Sequence, residues 1–221
     1  MIDQDVDGRT TRWDAHKARR RRALLDAAVA AIEADGPRVG VQVIARRASV
    51  PRSVVYRHFA DRSDLDEEIS RHIVETLMAE LAPALLPRGT AKEAIRRAIR
   101  TYLGWIEDHP RLYAFLGARA APGGSRVIAD TRAKVIGLAG EILAAGARKA
   151  GQDERFAGTV ATGMVGFVDA TVNHWQAGER RAATAGELAE LITQSIWSML
   201  DGNARAVGVV LDPDLPVHEL L

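Results

Sequence analysis

Residues 41–62, Val-Gln-Val-Ile-Ala-Arg-Arg-Ala-Ser-Val-Pro-Arg-Ser-Val-Val-Tyr-Arg-His-Phe-Ala-Asp-Arg, constrain this chain more than any other stretch. Val41, Ile44, Ala45 and Ala48 recur at three- and four-residue spacing, which places them on one face of a helix. Ser49-Val50 then forms a turn, with Val50 filling the angle between this helix and the next. Pro51 begins a second helix, where its fixed φ suits the first turn and its missing N–H costs nothing. Val55 and Phe59 form the buried side of that helix, and Arg52, Ser53, Val54, Tyr56, Arg57 and His58 are left facing outward. Two short helices with such an outer face have the shape that enters a DNA major groove. A charged outer side is also what any solvated helical hairpin has, so the pattern needs support from its surroundings.

The charge distribution supplies that support. From Arg9 to Arg62 thirteen basic residues stand against five acidic ones, a formal +8, whereas the whole chain carries +1 and the remainder therefore −7. An asymmetry of this size is the footprint of a module that binds a polyanion. Arg19-Arg20-Arg21-Arg22 closes residues 1–18, which lack an apolar period and are expected to form a flexible basic arm. That run suits phosphate contact or a minor-groove arm better than a solubilising tail, because the hairpin follows so closely.

Helix punctuation is clear on both sides of the hairpin. Leu24, Ala28, Ala31 and Ile32 line one stripe of an Ala-rich helix that Asp35-Gly36-Pro37 stops. Ser63 has the look of an N-cap with Asp66 in the first turn, before a long helix carrying Leu65, Ile69, Ile73, Leu77 and Leu81. These residues resemble the TetR family of bacterial transcriptional repressors: an Ala-rich helix ending in Gly, then Ile44-Ala45, Ala48, Val50, Tyr56, His58-Phe59 and a basic residue ahead of a Leu-bearing helix. The resemblance covers about residues 20 to 70. It implies that Tyr56 and His58 contact phosphates, that Gln42, Arg52, Ser53, Val54 and Arg57 face bases or backbone, and that Arg62 anchors the backbone. The chain departs from the family pattern at Gly40, Ser49 and Pro51-Arg52-Ser53. Gly remains an acceptable N-cap, and Ser at a positive-φ turn position costs about 1 kcal/mol.

The expected fold is therefore all-α, with a helix-turn-helix DNA-binding domain over 19–65, a larger helical ligand-binding and dimerisation domain over 66–206, and a tail over 207–221. In the second domain, breaks at Pro83, Pro87 and Gly89 precede a helix capped by Thr90 with Glu93 three residues on, running to Asp108. Pro110 opens a short helix, Pro122-Gly123-Gly124 a loop, and further helices are expected over about Ser125–Ala150, Glu154–Gln176 and Thr184–Asn203. Gly158, Thr162, Gly166 and Ala170 recur every fourth residue as a ridge of small side chains that permits close helix approach. That ridge is expected to form a two-fold dimer seam with Leu188, Ile192, Ser195 and Ile196, since a palindrome reader needs a symmetric partner. Packing within the chain would use the same residue types.

Tyr102, Trp105, Tyr113, Met164, Phe167 and Asn173 are candidates for an apolar effector pocket, a role that the family resemblance implies and that composition alone does not. The chain has no cysteine, which rules out thiolate chemistry, and it lacks a Gly-x-Ser-x-Gly elbow, a phosphate-cradling Gly loop and a His-Glu-x-x-His pair. No enzyme, metal or cofactor is expected. The polar, acidic start and the lack of a long apolar run make a soluble cytoplasmic protein the expectation. The rival reading, a ligand-sequestering or scaffold protein without sequence-specific DNA binding, is separated from the regulator by salt-dependent binding to duplex DNA.

Overall fold

The structure, a computed structural model, describes residues 5–86, 88–120, 124–178 and 183–217, with side chains from residue 16 onward. Among the described residues it is all-α as expected: α1 (Asp5–Asp35), α2 (Val41–Arg47), α3 (Arg52–His58), α4 (Arg62–Leu81), α5 (Ala91–Asp108), α6 (Pro110–Gly117), α7 (Arg126–Lys149), α8 (Ala157–Ala177) and α9 (Ala185–Ala206). None of these helices is long and apolar enough to cross a membrane. Pro87, Pro122, Gly123, the first four residues of the expected arm and the last four of the tail lie outside the described residues.

Contacts divide the chain into two compact units. One holds residues up to Glu75 together with His109–Ile128, and the other holds Thr76–Asp108 with the described residues from Ala129 on. The first unit packs α1 against α2 and α6, and α2 against α3. Its core is Leu24, Ala28, Ala31 and Ile32 from α1, Ile44 and Ala45 from α2, Val55 and Phe59 around α3, and Leu65 and Ile69 from α4, each 1 % exposed or less. These are the three- and four-residue stripes read from the sequence, now facing one another.

The junctions in this unit follow local chemistry. Gly36 takes a φ of 96° and donates its N–H to the Ile32 carbonyl, closing α1. After α2 the Ser49 N–H bonds to Arg46 and the Val50 N–H to Ala45, the double bond of a Schellman motif. That motif forces Ser49 to φ 55°, the positive-φ position anticipated at this departure from the family pattern. Pro51 serves as the residue before α3 rather than its first residue. The start of α4 differs from expectation too. Asp61, not Ser63, caps it, its carboxylate accepting the Asp64 N–H at 2.8 Å while Asp64 accepts from Ala60. A carboxylate is the stronger acceptor at a helix start, because it also meets the positive end of the dipole.

The basic arm is also revised. Residues 5–18 continue α1 as helix rather than forming a separate flexible segment. Extending an existing helix avoids the cost of nucleating one, which offsets the weak helix formers Gly8, Thr10 and Thr11 in this stretch.

In the second unit α5 and α9 form the main pair, with α8 against α9. Polar links run antiparallel along the first pair: Lys92 to Gln194, and Arg96 and Arg100 to Glu190. The capping box of Thr90 with Glu93 on α5 falls as the sequence implied, and α9 starts with a second one, Thr184 with Glu187. Hydrogen bonds from Thr184 to the Glu187 carboxylate hold its pKa below the ordinary value. The tail docks here. Val217 donates to the Gly89 carbonyl at 2.9 Å, Pro216 bridges Thr90, and the Val217 side chain is buried.

Replacing Ser49 by Gly removes the positive-φ strain and is expected to stabilise the protein by about 0.5–1 kcal/mol, read as a rise in Tm. Thr184→Ala, which deletes one half of the α9 box, is expected to cost about 1 kcal/mol in chemical denaturation.

Candidate nucleic-acid interface

The exposed side of the first unit gathers most of the residues singled out in the sequence. Gln42, Arg52, Ser53, Tyr56 and Arg57 are exposed. Arg52 and Tyr56, one turn apart on α3, form a linked pair, with the guanidinium bonded to the phenol at 3.2 Å and 5.4 Å from the ring centroid. This orients two of the outward groups relative to each other while leaving both in reach of solvent.

Val54 is a correction. It is buried at 8 % exposure, facing the turn that joins the two short helices, so it supports α3 from within rather than pointing outward. Its outward placement would have required α3 to roll until Val55 lost its fully buried position. Arg62 is half-buried, and its guanidinium is engaged within the chain: Nε donates to both Asp66 oxygens at 3.0 Å and Nη1 donates to the Val39 carbonyl at 3.0 Å. It therefore holds the end of the α1–α2 connection onto α4.

His58 lies at the end of α3, half-buried, with Nδ1 enclosed and without a hydrogen-bond partner. Its backbone carbonyl accepts from the Arg21 guanidinium, which also pairs with Glu68 at 3.2 Å and stacks 4.5 Å from the Phe59 ring centroid. Burial lowers the His58 pKa, and the charges of Arg21, Lys17, Arg20 and Arg57 lower it further. The imidazole is thereby biased to its neutral form within a cationic setting.

Three contacts carried no local sequence signal. Asp66 receives Arg119 at 2.9 Å as well as Arg62, and the Glu67 carboxylate accepts the Val127 N–H at 3.0 Å. With Glu33 bonded to His109 at 2.6 Å, these contacts join the segment 109–128 to α1 and α4. Their partners lie 53, 60 and 76 residues apart, beyond the reach of periodicity or motif.

The residues expected to line an effector pocket divide between the units. Tyr113 belongs to the first, whereas Tyr102, Trp105, Met164, Phe167 and Asn173 belong to the second. Trp105 is buried, Tyr102, Met164 and Phe167 are half-buried, and Asn173 is exposed on the outer face of α8, so it does not line an interior. Near them on α8, Asp169 pairs with Arg132 at 2.7 Å, and burial raises its pKa against the opposing pull of that arginine.

The residues expected at the dimer seam also separate. Leu188, Ile192 and Ile196 are buried on α9, which packs on α5, so they are core rather than contact surface. Ser195 is half-buried. Gly158, Thr162, Gly166 and Ala170 are exposed along α8, but Gly158 also sits at a crossing within the chain, its Cα 3.5 Å from where a Cβ on Gly140 would stand.

A histidine with a depressed pKa binds its proton more readily in the unfolded chain. Its contribution is fully present above the ordinary value of 6.5 and is lost as pH falls toward the folded-state pKa. Stability curves of wild type and His58→Gln are therefore expected to run parallel above that pH, and below it the wild type is expected to lose stability faster than the variant as pH falls.

Comparison with known proteins agrees with this geometry. The family model for bacterial regulatory proteins of the tetR family matches residues 24–69, and that for a Tetracyclin repressor-like C-terminal domain matches residues 91–199. An HTH-type transcriptional regulator of Mycobacterium tuberculosis is 30 % identical over 92 % of this chain and 86 % of its own. Among solved structures, a tetR-family transcriptional regulator from Streptomyces coelicolor superposes with a TM-score of 0.68 at 18 % identity, over 86 % of this chain and 83 % of the other. The transcriptional regulator FadR from Bacillus subtilis, in complex with stearoyl-CoA, superposes with a TM-score of 0.61 at 18 % identity, over 82 % and 98 %. A helix-turn-helix head built as described and a relative spanning most of both chains place this protein in the TetR family of transcriptional regulators.

Proposed function

We propose that this protein is a cytoplasmic, nucleoid-associated homodimeric repressor that reads a palindromic operator with α3 and is released from it by a small-molecule effector bound in the second unit. The observation that carries the reading is the exposed row Arg52, Ser53, Tyr56 and Arg57 on a helix whose opposite side, Val55 and the following Phe59, is held in the core. A face so anchored presents donors and an aromatic ring at fixed positions, as base and phosphate recognition requires. Gln42 adds an exposed amide on α2, and His58 and Arg62 flank the row at its end.

Two-fold symmetry follows from the size of the reading head. A single short helix covers a few base pairs, and specific regulators of this kind gain affinity by placing two such helices one helical turn of DNA apart, about 34 Å. The outward small-residue row Thr162, Gly166 and Ala170 on α8 supports the seam, because it lets a partner helix approach closely. Effector action is then a change in the separation of the two heads, which no longer match successive major grooves. Tyr102, Trp105, Met164 and Phe167, in the unit that matches the C-terminal family model, remain the candidate contacts for the effector.

Two experiments test the reading. Tyr56→Ala/Arg57→Ala is expected to abolish operator binding in electrophoretic mobility shift while leaving the helical circular dichroism unchanged; undiminished binding would remove α3 from its assigned role. Gly166→Leu is expected to convert dimer to monomer in analytical ultracentrifugation, since a bulky side chain blocks close helix approach. A dimer that persists would put the seam on another surface.

A further inference from the structure

Arg132, Ile136, Ala139 and Leu143 share one stripe of α7, at helical spacing. The three apolar members and the flanking Val135 are half-buried, and from Ala129 to Lys149 no residue of this helix is fully buried. On α8, Val165 and Val172 stand on the same side as Asp169, and of these three only Val172 is fully buried. The two helices meet backbone to backbone at Gly140 and Gly158, where a Cβ on Gly140 would stand 3.5 Å from the Gly158 Cα. Farther along they are joined through side chains instead, by the 2.7 Å ion pair of Arg132 with Asp169. An incompletely covered apolar layer thus carries one charge pair.

The two partners are not equivalent. The Asp169 side chain is 25 % exposed and the Arg132 side chain 47 %. The carboxylate sits on a short side chain fixed to α8, whereas the guanidinium ends a long, flexible one that reaches water. Burial raises the Asp169 pKa even with Arg132 in contact, so the carboxylate is only partly compensated. Arg132 can swing into water at little cost, because ion pairs this exposed contribute little. Asp169 cannot leave. The layer therefore holds a fixed negative charge beside apolar side chains, with a counterion that can be exchanged.

We propose that the effector is a small lipophilic cation seated between α7 and α8, its charged nitrogen replacing the Arg132 guanidinium on Asp169 and its apolar body lying against Val135, Ile136 and Val165. The inference rests on the reading of this protein as an effector-released repressor, and it names the chemical class that reading leaves open. It adds a charged contact to the apolar candidates already assigned in this unit. The same geometry opposes a ligand of the other sign. A carboxylate drawn to Arg132 would lie beside Asp169, and two carboxylates in one half-buried space repel.

Isothermal titration calorimetry on the full chain, below micelle-forming concentrations, compares decylammonium, decanol and decanoate, which share one apolar body and differ in charge. Wild type is expected to bind decylammonium about tenfold or more tighter than decanoate, with decanol between them, because a charge-assisted contact and a like-charge contact differ by that much. Asp169→Asn is expected to weaken decylammonium by about tenfold or more while leaving decanol unchanged, and Asp169→Glu to keep the preference for the cation. Arg132→Gln removes the competing counterion and is expected to tighten decylammonium binding, the opposite of what a pair that only braces two helices would give. The variants are compared at equal helical circular dichroism.

Tighter binding of decanoate overturns the proposal, as does decylammonium binding that survives Asp169→Asn undiminished or weakens in Arg132→Gln. Absence of heat with all three probes overturns it too. The repressor reading is tested apart, by mobility shift with a duplex that the protein selects from a random pool. If the duplex binds and no probe does, the repressor reading stands and only the cation site is refuted. Decylammonium that binds through Asp169 yet leaves the duplex bound refutes the effector role of this site. Release of the duplex by decylammonium from wild type, but not from Asp169→Asn, supports both.

Discussion

Everything that α3 presents outward depends on how Phe59 is held. The ring is 1 % exposed, Arg21 from α1 stacks over it at 4.5 Å, and the same guanidinium bonds the His58 carbonyl and pairs with Glu68 on α4. One planar, permanently charged group thus ties three helices to a single aromatic ring. Burying a side chain of this size contributes about 1.5–3 kcal/mol, and the guanidinium gives the contact a direction that apolar packing alone lacks. With the end of α3 fixed there and its beginning fixed by the Schellman turn at Ser49, the helix has little freedom to roll. The row Arg52–Tyr56–Arg57 inherits its orientation from those two points.

Charge in the first unit is sorted by the same architecture. The basic residues nearest the core meet carboxylates, as Arg62 and Arg119 do at Asp66, and brace the helices. Those on the outer sides of α1 and α3, among them Arg19, Arg20 and Arg57, meet none among the described residues. The +8 of residues 9–62 therefore overstates the charge available to a partner, since Arg21, Arg47 and Arg62 are already paired. His58 lies within that field, where burial and four neighbouring cations oppose its protonation.

The second unit is organised differently. Its α5–α9 pair carries the buried apolar stripe and the cross-helix ion pairs, whereas α7 and α8 leave Leu138 and Ile142, and the row through Gly166, open to solvent within a single chain. The tail completes this unit by pairing Val217 with Gly89 at the start of α5. Arg97 reinforces the same corner by donating to the carbonyls of Ala84, Leu86 and Arg88.

Apart from the start of α1, helix positions are legible in the sequence to within a few residues, because caps and stops act locally. Thr90 with Glu93, Thr184 with Glu187, Asp35-Gly36-Pro37 and Pro110 each state their function within one turn. The core of the first unit is legible for the same kind of reason, since Leu24, Ile44, Val55 and Phe59 stand in helical register. Register cannot tell which of two adjacent apolar residues a neighbour covers. It therefore points Val54 outward, and it offers Leu188, Ile192 and Ile196 to a seam although they are buried within their own unit. Nor does composition separate a basic arm from a basic helix, and residues 5–18 continue α1 because helix elongation is cooperative. By itself the sequence determined an all-helical chain with a helix-turn-helix head and a concentrated positive charge. The tertiary structure alone decided which cations are paired, which face of each helix is covered, and that Arg132 of α7 meets Asp169 of α8. Those outcomes depend on contacts between residues far apart in the chain, where spacing along the sequence carries no information.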